Sequence, residues 1–420
     1  MSKLFLNTQA QITYIEMKPR IFINLHYMAL GGAERALLGL LNAIDTDRVD
    51  VDLFLNQHEG EFMPLIPKKI NLLPERRGYN AIERPMKSIL LEGQLGVLLG
   101  RLKARYRYLK YHHSLPGNDQ AVDASAFQYI ADDVDPHLPL LHDLGEYDLA
   151  ISFLQPHNIV LNKVRAKKKV AWIHTDYSTI HINVAKELPV WAAFDHIASI
   201  SPDCTRSFLE KFPSLEPKIV EIENILSTAF VREQADLLNV ESEMSFSGVK
   251  LLSIGRYCHQ KNFENVPDIA RRIMEQGNID LRWYIIGFGP DEDLIKQKIA
   301  EAGMGNHVIL LGKKENPYPY IKACDIYVQP SRYEGKSVTV REAQVLCKPV
   351  IITNYTTSGS QVQNGIDGVI VPMDNEGCAR GIVDAIKNSD MLNSISAYLS
   401  AHDYGNEKEV EKIYCLIKSL

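Results

Sequence analysis

Short apolar runs alternate with helical patterns along nearly the whole chain, and this alternation limits the fold more than any other feature. Arg20 to Leu25 reads as a strand, Arg35 to Ile44 as an apolar-rich helix and Val49 to Leu55 as the next strand. Further strands are predicted at Leu149 to Phe153, Lys169 to His174 and His196 to Ile200. A second series starts near Val249, with strands at Lys250 to Ile254, Leu281 to Ile286, Val308 to Leu311, Ile326 to Val328, Pro349 to Ile352 and Gly368 to Val371. Helices are predicted between them at Asn265 to Gln276 and Asp293 to Ala302. Strand–helix–strand alternation implies parallel sheets with helices on both faces. A chain of 420 residues exceeds what one ordinary core holds. The expected architecture is α/β, with two doubly wound Rossmann-like domains facing a cleft.

The boundaries follow the same pattern. Residues 1–19 are set aside as an N-terminal extension. Residues 20–226 form the first domain, with a helical insertion over 84–145 that breaks the alternation. Residues 227–247, polar and without a clear strand, are read as a linker. Residues 248–398 form the second domain, and a helix over 399–420 has a return to the first domain open to it.

A net charge of -6 and a pI near 6.1 argue against a nucleic-acid partner, which calls for a basic surface. The six cysteines are widely spaced and have no metal-ligand spacing, as expected of free thiols in a reducing compartment. With no long apolar run and no signal-peptide pattern, the expected location is cytoplasmic, with the inner face of the membrane as an option. That option rests on the insertion. Met86 to Tyr111 reads as a helix with Ile89, Leu90, Leu95, Leu98, Leu99 and Leu102 beside Arg101, Lys103, Arg105, Arg107 and Lys110. Such a helix can lie on an anionic membrane surface. The alternative, favoured by the acidic total and the lack of a Trp anchor, is a helix packed on the first domain with a solvated basic face.

In doubly wound sheets ligands sit beyond the carboxyl ends of the strands. The chemistry-bearing motifs fall there. After the run Asp325 to Ser331 comes Glu334-Gly335-Lys336-Ser337-Val338-Thr339-Val340-Arg341-Glu342. It reads as loop, then helix, with backbone amides near Lys336, Ser337 and Val338 opening the helix. Those amides are unpaired and carry the positive end of the helix dipole, so they attract a phosphate. Glu334 and Glu342 bracket the turn and can hold hydroxyl groups, a combination that suits a nucleotide-sugar. The bland alternative is a capping box from Thr339 to Glu342 with a solvated Glu334.

Gly255-Arg256 ends a strand and Lys261 follows; two cations on a strand-end loop can clamp a pyrophosphate. Gly31-Gly32 permits close approach of a ligand at a helix start. Gly287-Phe288-Gly289 follows a strand but lacks the third glycine of a dinucleotide fingerprint, and reads as a turn near the nucleotide pocket. His174 is singled out by its strand-end position alone. Asp133 and Asp135 read as a solvated acidic loop, not a metal site.

In this order the motifs resemble those of the retaining glycosyltransferases of family 4, which have the GT-B fold. The resemblance runs from about Arg20 to Asp384, and Glu-x7-Glu preceded by Gly-Arg-x4-Lys is its most specific part. It implies that Arg256 and Lys261 neutralise the donor diphosphate, with Gly255, Gly287, Gly289 and Gly335 shaping the donor site. Amides at Ser337 and Val338 would hold the distal phosphate beside Lys336, Glu342 the ribose and Glu334 the donor sugar. His174 would bond the sugar near the reacting carbon, and Gly32 would lie against phosphate or acceptor. The implied reaction moves a hexose from a UDP- or GDP-sugar to a hydroxyl of a glycan or lipid-linked acceptor, with retention and without metal or cofactor. Cell-surface polysaccharide synthesis is the implied setting. Departures from the family pattern are Lys336 and Ser337 where an aromatic and a proline are usual, Ile225 in place of a glycine after Asn224, and the long insertion. A nucleotide-sugar epimerase and a non-catalytic nucleotide-sugar binder are the competing readings.

Overall fold

A computed structural model describes residues 18–29, 31–113, 122–178, 180–334 and 336–418. The first half carries β1 (Arg20–Leu25), β2 (Asp50–Leu55), β3 (Asn71–Leu72), β4 (Val122–Asp123), β5 (Glu146–Ser152), β6 (Arg165–Ile173), β7 (Ile180–His181), β8 (His196–Ser199) and β9 (Ile219–Glu221). Seven of them form an all-parallel sheet in the order β3-β2-β1-β5-β6-β8-β9. β4 and β7 pair separately. The second half carries β10 (Val249–Ile254), β11 (Leu281–Ile286), β12 (Val308–Gly312), β13 (Ile326–Gln329), β14 (Val350–Thr353) and β15 (Val369–Val371). These form a parallel sheet in the order β12-β11-β10-β13-β14-β15.

Both sheets are buried on two faces along most of their length, which is why the strand interiors are dominated by apolar residues, with charges such as Arg20, Asp50 and Arg165 at strand starts. In β1, Ile21, Ile23 and Leu25 enter one core cluster and Phe22 the other, the two-residue period of a pleated strand. In β10, Leu251 and Leu252 divide the same way. Strand order reverses between β1 and β5 in the first sheet and between β10 and β13 in the second. A crevice opens at each reversal.

Three expectations need correction. Residues 227–247 are not a featureless linker: the helix Thr228–Ala235 lies there, and Val231, Ala235, Val240 and Met244 enter the core of the second domain. The insertion helix is two helices, Met86–Leu91 and Leu95–His112, broken where Gly93 takes φ +66. Asp133 is no solvated loop residue. It lies in the helix Ser125–Val134, is 3% exposed, and pairs with Lys103 at 3.0 Å and Arg107 at 2.6 Å. Asp135 pairs with Lys163 at 3.5 Å.

The C-terminal helix Val410–Lys418 packs on the first domain. The Tyr414 hydroxyl accepts from the Asp45 backbone amide at 2.8 Å, and Arg48 pairs with Glu411. A helix late in the chain thus packs on the first domain after the second domain is complete, and the intervening chain connects the two. All six cysteines are free thiols. Among the described residues no helix is long and apolar enough to cross a membrane, and no group of three or more His, Cys, Asp or Glu side chains is placed to hold a metal ion.

Candidate active site

At the crevice of the second sheet, the loops leaving β10 and β13 meet. Lys261 Nζ donates to Glu334 Oε1 at 2.5 Å. The same oxygen accepts from Ser331 Oγ at 2.6 Å and from Gln329 Nε2 at 3.2 Å, while Oε2 accepts from Gln260 Nε2 at 3.3 Å. Lys261 and Glu334, 73 residues apart, are therefore one unit (the chain spacing does not suggest it). Arg256 beside them is exposed and forms no ion pair among the described residues.

The glycines here serve the loop itself. A Cβ on Gly255 would press on the Lys261 stem at 3.1 Å. On Gly287 it would lie 1.9 Å from Gly255 O, and on Gly289 2.3 Å from Tyr257 O. Gly287 and Gly289 thus fix the Arg256 loop through close backbone contact, supported by Tyr257 N–H donating to Phe288 O at 2.8 Å. Gly335 lies outside the described residues.

The helix Val338–Val345 begins at Ser337, as the motif requires. The Ser337 amide is not free, however: it donates to Gln361 Oε1 at 3.0 Å, and Gln361 Nε2 returns a bond to Ser337 O at 2.5 Å. Gln361 occupies the position expected of a phosphate oxygen. Lys336, about a third exposed, forms its ion pair elsewhere. It reaches the first domain and donates to Glu223 Oε1 at 2.8 Å, with Arg341 on Oε2 at 3.2 Å. Although burial pushes the Glu223 carboxyl up, those two cations outweigh it and hold the carboxyl below its usual range.

Glu342 is fully buried. Its Oε2 accepts from Arg35 Nη1 at 2.6 Å and its Oε1 from the Tyr318 hydroxyl at 3.0 Å. Arg35 belongs to the first domain, on the helix Gly32–Ala43 that Gly31 opens without a side-chain cap. A Cβ on Gly32 would meet nothing within 4 Å, so space lies in front of this helix start. The Arg35–Glu342 pair, with Lys313–Glu61 nearer the rim, brings the carboxyl ends of the two sheets face to face. No sequence signal marks Arg35, Tyr318, Gln361 or Glu223 as members of this junction; each is recruited from a distant part of the chain.

His174, at the end of β6, stands apart from this charged set. Its ring lies 4.5 Å from Phe153 and 5.9 Å from Trp172, stacked on the latter. Burial pushes its pKa down to about 3. His157, whose Nδ1 bonds Ser152 Oγ at 2.8 Å, is also pushed down to about 3 by burial. Beyond them His26 Nδ1 meets Glu83 Oε1 at 2.5 Å in the wall of a cavity of about 270 Å³, whose other walls include Arg101, Phe127, Ile130 and Asn158. The first domain therefore offers neutral imidazoles and an apolar cavity, and the second offers charge.

Known proteins share this fold. Anabaena Alr3699/HepE, solved with UDP and glucose, superposes with a TM-score of 0.67 at 16% identity, over 96% of this chain and 100% of that one. TarM from S. aureus, solved as a G117R mutant with Fondaparinux, alpha-GlcNAc-glycerol and UDP, gives 0.65 at 11% identity, over 95% and 100%.

The chain has the GT-B fold.

Within the GT-B chain, residues 247–401 match the family model described as Glycosyl transferases group 1. That stretch holds Arg256, Lys261, Glu334 and Glu342 but neither Gly32 nor His174. The Escherichia coli UDP-Gal:alpha-D-GlcNAc-diphosphoundecaprenol alpha-1,3-galactosyltransferase is 27% identical over 145 residues, 34% of this chain and 38% of that protein. The Campylobacter jejuni N-acetylgalactosamine-N,N'-diacetylbacillosaminyl-diphospho-undecaprenol 4-alpha-N-acetylgalactosaminyltransferase is 31% identical over 128 residues, 30% and 34%. The matched stretch thus spans little more than a third of these relatives.

Proposed function

We propose that this protein transfers a hexose from a UDP-sugar to a hydroxyl of a glycan or lipid-linked acceptor, retaining the anomeric configuration. One observation carries the reading: Arg256, which forms no ion pair among the described residues, the Lys261–Glu334 unit and the helix start at Ser337 converge on the crevice of the second sheet. UDP is the first choice of nucleotide because it occupies the HepE and TarM structures and appears in the name of the Escherichia coli relative. The two relatives are named for diphospho-undecaprenol acceptors, which supports a lipid-linked one here.

In this reading Arg256 bonds the diphosphate directly, since its guanidinium has no competing carboxylate among the described residues. The phosphate draws Lys261 from Glu334, freeing that carboxylate to orient the sugar. Charge develops on the leaving diphosphate in an oxocarbenium-like transition state, and the two cations with the amides of Ser337 and Val338 stabilise it. Gln361 leaves the Ser337 amide when the phosphate arrives. His174, neutral at physiological pH, orients a sugar hydroxyl and supplies no acid. The acceptor attacks from the face the diphosphate leaves, and a phosphate oxygen takes its proton, so no protein base is needed. The reading calls for no metal and no cofactor besides the donor. Glu342 meets the ribose only if Arg35 shares it or withdraws.

Calorimetric titration of UDP, GDP and ADP tests the donor half, and product anomer by NMR tests retention. UDP is expected to bind wild type and to lose most of its affinity with Arg256→Ala. Absence of binding by all three nucleotides, or a product of inverted configuration, would remove the reading.

A further inference from the structure

The helix Leu95–His112 has two apolar faces. Val97, Gly100 and Ala104 are buried against the first domain. On the opposite side Leu95, Leu99, Leu102, Tyr106 and Leu109 recur at spacings of four, three, four and three residues, and all five are exposed. At 3.6 residues per turn these positions form one stripe pointing straight away from the domain. Leu99 is 61% and Tyr106 71% exposed, and Leu91 of the preceding helix extends the stripe at 78%. Scattered exposed leucines need no explanation, but an aligned row does.

The flanks of the stripe say what covers it. The helix carries Arg101, Lys103, Arg105, Arg107 and Lys110 and no carboxylate, in a chain whose net charge is -6. Arg105 and Lys110 border the stripe on its two sides and have no ion-pair partner among the described residues. A second copy docking by the same face would set these cations against each other with no acid to pair them. A surface of anionic lipid headgroups matches both parts. The leucines enter the acyl boundary, Tyr106 sits at headgroup level, and the cations meet phosphates.

We propose that this face of the first domain docks on an anionic phospholipid surface. The inner side of the same helix pair borders the cavity beside His26–Glu83, through Arg101. The cavity then lies about one helix diameter, roughly 10 Å, from the lipid surface. That places it within reach of an acceptor carried on lipid. This last step rests on the transferase reading; the docking does not.

The test is co-sedimentation of the full chain with phosphatidylcholine vesicles, with and without phosphatidylglycerol, at low and high salt. Wild type is expected to pellet with the anionic vesicles, less so at high salt, and to stay in solution with the neutral ones. Leu99→Ser/Leu102→Ser and Arg105→Glu/Lys110→Glu should each lower partitioning by about tenfold or more. Both pairs are surface changes, so melting temperature and UDP binding should not move. Wild type that ignores anionic vesicles, or variants that bind as wild type does, would overturn the proposal. So would a wild-type dimer in light scattering that the leucine variant dissociates while vesicles stay bare. UDP binding is read without vesicles, so failure of the donor reading leaves the docking result standing.

Discussion

The two crevices that meet across the cleft are built from opposite chemistry. At the ends of β10 and β13 the Glu334 carboxylate takes bonds from Lys261, Ser331, Gln329 and Gln260, with Arg256 alongside. At the ends of β5 and β6 two histidines lie among aromatic rings, held neutral by burial. In the proposed reaction, charged atoms gather where the charged ligand is held and where its leaving charge is met. In the same proposal the largely apolar cavity suits the partner that brings only a hydroxyl. The junction between them is itself ionic, and at its centre Glu342 is fully buried against Arg35.

Breaking that centre should have the largest effect. Glu342→Ala strands the Arg35 guanidinium and the Tyr318 hydroxyl, and loss of one partner of a buried pair costs about 3–5 kcal/mol. Denaturant unfolding should shift by that order, and Arg35→Met/Glu342→Leu should recover most of it. Wild-type stability in Glu342→Ala would mean that the domains are not held together here. The same burial makes Glu342→Ala a poor test of ribose binding, because a lost ligand and a loosened junction look alike. Arg256→Ala comes next and is cleaner. Charge-assisted bonds contribute about 1.5–3 kcal/mol, so UDP affinity should fall roughly tenfold to a hundredfold with stability unchanged. An unchanged affinity would shift the charged crevice from ligand binding to structure.

Much of this architecture is legible in the amino-acid sequence. Arg20–Leu25 and Leu281–Ile286 match their predicted strands residue for residue, because a doubly buried parallel strand is a short, nearly continuous apolar run. Arg256, Lys261, Glu334 and Ser337 stand out because charge and glycine recur at fixed offsets from strand ends. Partnerships are not legible. Lys336 reaches Glu223 across 113 residues and Arg35 reaches Glu342 across 307, and nothing in local pattern encodes such pairs. Two-residue strands such as Asn71–Leu72 leave too little pattern to read. The outer stripe of Leu95–His112 is visible as composition, but which leucines face inward depends on packing against Ser125–Val134.

The neutral crevice makes a pH prediction. The folded pKa of about 3 for His157 and His174 lies below the unfolded value of about 6.5. The unfolded state therefore binds protons that the folded state refuses. Stability is full above pH ~6.5 and falls on acidification toward pH 3, by up to about 1.4 kcal/mol per pH unit for each histidine. Glu187, bonded to Trp191 Nε1 at 3.3 Å and pushed up to about 7 by burial, acts in the opposite sense. It stabilises the fold when protonated and loses that contribution from its unfolded value of about 4.5 upward. Glu187→Gln should therefore steepen acid unfolding of the first domain between about pH 4.5 and 6.5, followed by tryptophan fluorescence. An identical acid limb in the variant would show that Glu187 is ionised in the fold.

The smallest effect is expected of Lys336→Ala, and it is the sharpest test of how the two crevices divide the work. Lys336 sits inside the donor motif by sequence, but its ammonium is spent on Glu223, with both side chains about a third exposed. A partly exposed pair contributes at most about 1 kcal/mol, and Arg341 remains on Glu223 in the variant. Stability should drop by less than that, and UDP affinity should stay within about twofold of wild type. A loss of affinity comparable to that of Arg256→Ala would mean that the donor draws Lys336 away from Glu223. The motif would then act as one charged unit, and domain closure and phosphate binding would compete for the same lysine.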